Sequence, residues 1–289
     1  MTPSYVTIGH VSKDLRPDGS GVAGGTALYA SLAASRLGYE AGLVTTLAAA
    51  DGWLLGEALA AGVSCVGGVS AATTTFENRY QGEARRQVLH AVAAPLDQRD
   101  VPAAWRQAAI VHLGPVAQEL PSDAQWPALF HSSLIGVTPQ GWMRRWDAGG
   151  AVEAIPWAGA DRLLPHCHVL VMSREDAGGD WALLEAYARL APLTVITAGG
   201  DEALILERGR AIARVPALAA RPVDLTGAGD VFAAGFLVGY HETGDPLRAA
   251  RLGHAAAAAA IEAEGTRGIA ERAVVEARLE AAEGAQRAG

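Results

Sequence analysis

"DLTGAGDVFAAGFLVG", residues 224–239, decides how this chain is read. Gly227, Ala228 and Gly229 make a turn without bulk, Asp230 follows, and an apolar stretch begins at once. A helix start exposes backbone N–H groups that have no partner inside the helix, and the macrodipole adds partial positive charge there. Small residues let an anion approach that backbone closely. A carboxylate beside such a cradle would repel the anion. Its place makes sense if it acts on a second reactant, taking a proton from a hydroxyl that attacks phosphorus. Phosphoryl transfer needs an in-line hydroxyl, a base or orienting group, and donors for the equatorial oxygens. A plain glycine turn with Asp230 as a first-turn acid explains the stretch equally well, so the rest of the chain has to decide.

Outward from this motif the chain alternates strand and helix. "YVTIGH" at the start is a short apolar run that reads as a buried strand. Gly24 and Gly25 open a helix in "GGTALYASLAASRLG", and Gly38 closes it. "AGLVTTLA", "GWLLGEALAAGV" and "SCVGGV" predict strand, helix and strand. "AAIVHLG", "SLIGVTP", "HVLVMS" and "LTVITAGG" are further buried strands. Residues 73–96 instead predict a hairpin around a polar centre at Gln81 to Arg86, and a second hairpin turns at Arg208 and Gly209. Helices are expected over 228–242, 246–264 and 271 to about 286. The pattern implies one α/β domain over residues 1–289, with a doubly wound, mainly parallel sheet and helices on both faces. Segments near 11–20 and 73–96 would form a small β lid.

With the pattern in place, the motifs resemble one family. "DLTGAGD" with "FAAGF" is similar to the second signature of the ribokinase-like, PfkB-type carbohydrate kinases. "GHVSKD" resembles that family's opening strand with its substrate-binding acid, here Asp14. "GGTALYASLAASRLG" resembles the first signature, and "TVITAGGDEALIL" the nucleotide-side segment. The resemblance implies Asp230 as catalytic base and the backbone of Gly227, Ala228 and Gly229 as the anion hole. It implies ATP with Mg²⁺ as cofactors, and K⁺ as a monovalent activator that several members bind near Asp224 and Thr226. Thr197, Gly199, Gly200, Ser173, Thr226, His254 and Gly265 would line the nucleotide site, although His254 reads equally as a helix-surface histidine. Asp14, Gly24 and Gly25 would hold substrate hydroxyls. Phe76, Asn78 and Tyr80 alternate with Glu77 and Arg79, so that trio would face the pocket from the lid; plain strand packing explains the alternation as well.

The departures from the family pattern carry information. Where members have N-x-x-E, this chain has "SREDA", so either Glu175 or Asp176 stands for the acid that helps to organise the metal. Ribokinases have an Asn two residues before the matching Asp, where this chain has Ser12. They have a Lys directly after the Gly-Gly pair, where this chain has Thr26, and an Asn further along that helix, where it has Tyr29. Unmade polar contacts of this kind typically cost about 1–3 kcal/mol each, which argues against ribose. Tyr29 offers a flat face and one hydroxyl, which suits a ring-shaped polyol such as an inositol or a hexose. Asp14 would repel a phosphosugar, Lys13 alternates to the opposite side of its strand, and Arg79 points away with Arg85 and Arg86 near the hairpin tip. A neutral substrate is therefore expected. A nucleoside kinase of the same family, with Phe76 or Tyr29 stacked on the base, and a non-catalytic nucleotide- or sugar-binding relative are the alternatives. An NAD-dependent oxidoreductase is disfavoured, because "GVAGG" is not G-x-G-x-x-G.

Composition fits that reading. Of 289 residues, 50% are hydrophobic and 19% charged, a balance that supports a sizeable core. A net charge of −8 argues against nucleic acid or an anionic membrane as partner. Lys13 is the sole lysine among 23 basic residues. Cys65 and Cys167 stand in no metal or redox pattern. With no leader or membrane-spanning run visible, a cytoplasmic location is expected. A homodimer formed through the lid is a further expectation.

Overall fold

The computed structural model describes residues 2–81 and 84–288. Its central sheet is built from β1 (Tyr5–Ile8), β4 (Ala41–Val44), β5 (Ser64–Val66), β8 (Ile110–Leu113), β9 (Leu134–Val137), β10 (Val169–Ser173), β11 (Leu193–Thr197), β12 (Glu202–Glu207) and β13 (Arg210–Pro216). Across the sheet they lie in the order β13-β12-β11-β10-β9-β8-β1-β4-β5. All neighbours are parallel except β11–β12 and β12–β13, which form the antiparallel edge. Arg208 and Gly209 both take positive φ, which closes the β12–β13 hairpin as a tight turn. The sheet is thus the doubly wound, mainly parallel one that the alternation predicts.

Alternation along each strand divides the core. In β10, Val169 and Val171 join one apolar cluster, while Leu170 and Met172 join the other. The first cluster is roofed by α1 (Thr26–Arg36), α3 (Ala228–Thr243) and α4 (Pro246–Ala260). The second is filled by aromatic residues of the long connections, among them Trp105, Trp126, Trp142 and Trp157, and by α2 (Trp181–Leu190). Small residues let α3 and α4 touch: a Cβ on Gly235 would stand 3.0 Å from the Gly253 Cα, and one on Gly239 2.9 Å from the Ala249 Cα. This close packing is why the run Ala255 to Ala260 is apolar and helical: all but Ala257 are buried there.

Two boundaries differ from expectation. Residues 49–60 form a 3₁₀ turn, Ala49–Leu55, leading into a short α-helix, Gly56–Ala60, rather than one helix. α4 stops at Ala260 and not near residue 264, because the Ile261 carbonyl is taken by the N–H groups of Val223 and Asp224. The tip of the first hairpin, residues 82–83, lies outside the described residues.

A second sheet joins the segments around 11–24 and 75–91: β2 (Ser12–Leu15), β3 (Gly21–Gly24), β6 (Thr75–Gln81) and β7 (Ala84–Ala91), in the order β3-β2-β6-β7. β2 follows β1 directly, and β3 leads into α1, so this sheet is anchored at the C-terminal end of β1. The chain starts in mid-sheet, runs outward through β4 and β5, then returns to β8 on the other flank of β1. The ends of β1 and β8 are therefore a topological switch point, where open α/β sheets hold their ligands.

Candidate active site

The site begins where two helices start. Gly227 caps α3 in the left-handed conformation (φ 76°), and a Cβ there would overlap the ring of Tyr29. Gly229 faces open space, so its backbone is approachable. Asp230 sits in the first turn of α3. Thr26, the first residue of α1, bonds to it through its hydroxyl. Thr26 also packs on Gly114, just past the end of β8. The starts of α1 and α3 thus converge on the switch point with Asp230 between them.

Burial lifts Asp230 to about 6; the hydroxyl of Thr26 opposes this, Asp176 adds to it, and the guanidinium of Arg144 opposes it. Asp230 is therefore a base of moderate strength, ionised at neutral pH and able to accept a proton. Asp224, in the loop before the helix, is handled differently. Burial raises it, but hydrogen bonds from Thr226 and from the Gly265 N–H, with Arg16 nearby, outweigh burial and hold it below the usual carboxylate range. Its Oδ1 accepts from the Thr226 N–H and its Oδ2 from the Gly265 N–H, both at 2.9 Å. Asp224, Thr226 and Gly265 are in this way drawn into one loop cluster beside the anion cradle.

On the lid side, Ser12 Oγ donates to Asp14 Oδ1 at 3.0 Å. A Cβ on Gly24 would come within 2.6 Å of Asp14 Oδ2, so glycine makes room for that carboxylate. Gly25 takes positive φ (94°) as the residue before α1, close to the His10 carbonyl. Asp14 pairs with Phe76 across β2 and β6, which places the two on one face of the lid. Lys13 lies on the other face, paired with Asp51 at 2.9 Å. Arg79 is bound to Glu77 there too, as the alternation requires.

The structure corrects two substrate residues. Tyr29 is 2% exposed, wedged under Gly227 with its hydroxyl near Gly265. It supports the cradle from below and offers no open face to a ring. Phe76 is 3% exposed and packs with Leu89, Val116 and Ala117, while the Arg144 guanidinium lies 5.6 Å from its ring centroid. It belongs to the small core of the lid and cannot stack on a base. Asn78 accepts from Gln87 on the neighbouring strand. The side chains of Tyr80 and Arg85 are outside those described.

On the donor side, Ser173 and Thr197 are neighbours across β10 and β11. Gly199 (φ 56°) and Gly200 follow and face open space. His254 is not at the helix surface: it is 5% exposed, packs on Phe232 and donates from Nε2 to the Val215 carbonyl at 3.1 Å. Glu175 is exposed, whereas Asp176 turns back, accepting from the Ser173 N–H at 2.7 Å. Burial raises the Asp176 carboxyl against hydrogen bonds from Ser173 and Gln140 and the charge of Arg144. Asp176, not Glu175, is thus the acid within electrostatic reach of Asp230.

Sequence reasoning missed three residues. Arg144 and Gln140 lie after β9 in no motif. Glu119 is 1% exposed, and its carboxylate accepts from the N–H groups of His10, Val116 and Ala117 at 2.7–3.0 Å. It ties the end of β1 to the loop after β8. An acid within a mixed loop gives no pattern from which this staple could be read.

Among the described residues no group of three or more His, Cys, Asp or Glu is placed to hold a metal ion. Each oxygen of Asp224 accepts one backbone N–H, which fixes the carboxylate in place. Asp176 rather than Glu175 lies on the side of the turn near Asp230, where a divalent ion held on donor phosphates would meet a carboxylate.

Comparison with known proteins agrees with this geometry. Residues 155–273 match the family model described as pfkB family carbohydrate kinase. No curated protein sequence matches the chain. The fold is similar to a pyrophosphate-dependent kinase in the ribokinase family complexed with a pyrophosphate analog and myo-inositol (TM-score 0.78, 23% identity, covering 94% of this chain and 99% of that one). It is also similar to Arabidopsis thaliana ribokinase complexed with ribose and ATP (TM-score 0.73, 20% identity, 97% and 99% covered) and to Xylella fastidiosa fructokinase with bound ATP (0.77, 18%, 97% and 99%). The expected ribokinase-like fold is borne out, and the family model matches the C-terminal part of the chain that holds the glycine turn and Asp230. No helix among the described residues is long and apolar enough to cross a membrane.

Proposed function

We propose that this protein is a kinase that moves a phosphoryl group onto a hydroxyl of a small neutral polyol. The observation that carries the reading is Asp230, a carboxylate lifted to about 6 by burial, standing in the first turn of α3 beside an open glycine cradle. The acceptor hydroxyl lies between Asp14 and Asp230. Asp14, oriented by Ser12, accepts hydrogen bonds from vicinal hydroxyls. Asp230 takes the proton of the attacking hydroxyl, and the N–H groups at the start of α3 receive the equatorial oxygens. When bound, Mg²⁺ neutralises charge on the donor phosphates.

An inositol-like ring is the preferred acceptor. Its support is no longer the face of Tyr29, which is buried. It is the acid-lined polyol side of the site, together with the likeness to a kinase solved with myo-inositol. ATP is the first donor to test, on the likeness to the ATP-bound relatives. Pyrophosphate is the second, because pyrophosphate-dependent kinases reach TM-scores of 0.80 and 0.78 against this chain. The test is product formation from each donor with Mg²⁺ over myo-inositol, fructose, ribose, adenosine and fructose 1-phosphate. Transfer to myo-inositol is expected. Preference for fructose 1-phosphate would overturn the neutral-substrate reading, and no transfer to any acceptor would overturn the kinase reading.

A further inference from the structure

The site described so far holds three acids, Asp14, Asp176 and Asp230, and must receive an anionic donor. It needs a cation from the protein. Thr26, directly after the Gly-Gly pair, carries no charge and spends its hydroxyl on Asp230. The sole lysine, Lys13, is bound to Asp51 on the far face of the lid. Arg144 comes from a different element. It starts the short strand Arg144–Trp146, which pairs with Val152–Ala154; Ala151, just before that partner, bridges to Val88 of the lid. Its guanidinium lies 5.6 Å over the ring of Phe76, the lid residue paired with Asp14, and Nη1 donates to the Val116 carbonyl at 3.4 Å. The Gln118 side-chain amide donates to the Arg144 carbonyl, so both ends of the residue are tied to the loop that Glu119 staples to β1. Gln118 takes positive φ (58°), unusual for a residue with a side chain, to make that contact. From this mounting the guanidinium acts on both Asp230 and Asp176.

We propose that Arg144 is the cation that binds the phosphoryl group being transferred, reaching it from the lid side opposite the α3 cradle. This rests on the kinase reading. In the step it serves, the acceptor oxygen forms a bond to phosphorus as the bond from phosphorus to the donor's bridging oxygen breaks. The hydroxyl proton passes to Asp230, and the leaving group is the nucleoside diphosphate, or orthophosphate where pyrophosphate is the donor. A planar guanidinium offers two parallel N–H groups to the equatorial oxygens and stays charged throughout.

The test uses the full chain with Arg144→Gln and Arg144→Lys, after circular dichroism has shown both folded. If Arg144→Gln does not fold, Arg144→Met is read in its place, since its stem keeps the packing on Phe76. Phosphoryl transfer is measured with the donor and acceptor that wild type uses, and binding of inorganic pyrophosphate by calorimetry. Loss of one such donor of charge typically lowers kcat by about 10²–10³-fold, and Arg144→Gln is expected to do so, with pyrophosphate affinity falling at least about tenfold and Arg144→Lys recovering part of both. The acid limb of kcat/KM should also move to higher pH in Arg144→Gln, because a cation that favours ionised Asp230 is gone; a purely structural role would leave that limb in place. Wild-type kcat or unchanged pyrophosphate affinity in Arg144→Gln overturns the proposal and leaves the kinase reading standing. Arg144-dependent pyrophosphate binding without turnover in wild type sinks the kinase reading and keeps Arg144 as the anion-binding residue. Absence of both in wild type overturns both.

Discussion

Asp224 and Asp230 belong to one short motif, and the fold treats them oppositely. Asp224 is capped by two backbone N–H groups and held below the usual carboxylate range; it fastens the loop at Gly265 to the loop before α3. Asp230 has one hydroxyl partner, a second carboxylate near by, and burial that lifts it to about 6. One acid is settled and builds the site, while the other is kept uncomfortable and available for chemistry. Perturbed groups of the second kind gather where a reaction needs them.

The sharpest way to break this contrast is Asp230→Asn, which keeps size and removes basicity. A general base typically contributes about 10²–10⁴-fold in rate, so kcat should fall by that much while the donor still binds; wild-type turnover would sink the assignment. The same variant should be more stable than wild type above pH 6. A carboxyl raised above its unfolded value makes native stability fall as pH rises from about 4 to about 6, and the loss persists above that. Asparagine removes it, so thermal melts at pH 7.5 and at pH 4 should differ in sign or size between the two proteins. Wild-type kcat/KM should in turn fall as pH drops below about 6, where Asp230 takes up its proton.

The next largest effect is expected at the cradle. Gly227→Ala forces a left-handed alanine, costing about 1–2 kcal/mol, and drives a methyl into the Tyr29 ring. Its destabilisation should shrink in a Tyr29→Leu background, a coupling that a double-mutant cycle of denaturation free energies reads directly. An additive cycle would show that Tyr29 does not support the turn. Asp224→Ala leaves two N–H groups without their acceptor and should cost about 1–3 kcal/mol. Because the folded carboxyl is depressed, that contribution is present at neutral pH and is lost only as pH falls through its folded value, so the melting difference from wild type should close in acid. If Asp224→Ala matched wild type in stability but lost all activity, the division of labour between the two acids would be wrong. The smallest effect is expected at Lys13→Met on the far face of the lid. The pair with Asp51 is partly exposed, worth less than about 1 kcal/mol, and acceptor KM should not move; a changed KM would mean the two lid faces are not separate.

The amino-acid order by itself determined a good deal. Apolar runs of strand length set between helical segments specify a parallel sheet, since strands buried on both faces must be apolar throughout. The glycines and Asp230 mark the start of α3, because only residues without side-chain bulk allow that left-handed turn and an open backbone after it. Alternation placed Lys13 and Asp14 on opposite faces of β2, as side chains on a strand must be. Other features came only with the tertiary structure. Tyr29 reads as a pocket wall until α1 and α3 pack together and bury it beneath Gly227. Phe76 reads the same way until Arg144 lies over its ring. "SREDA" leaves Glu175 and Asp176 equal until the turn after β10 closes on the Ser173 N–H and directs Asp176 inward. Arg144 and Glu119 carry no local pattern, because their partners lie on other elements. Local sequence fixes dihedral preference and which side of an element is apolar; which charges meet across a cleft depends on the sum of strand order, helix packing and loop closure, and those forces act between residues far apart in the chain.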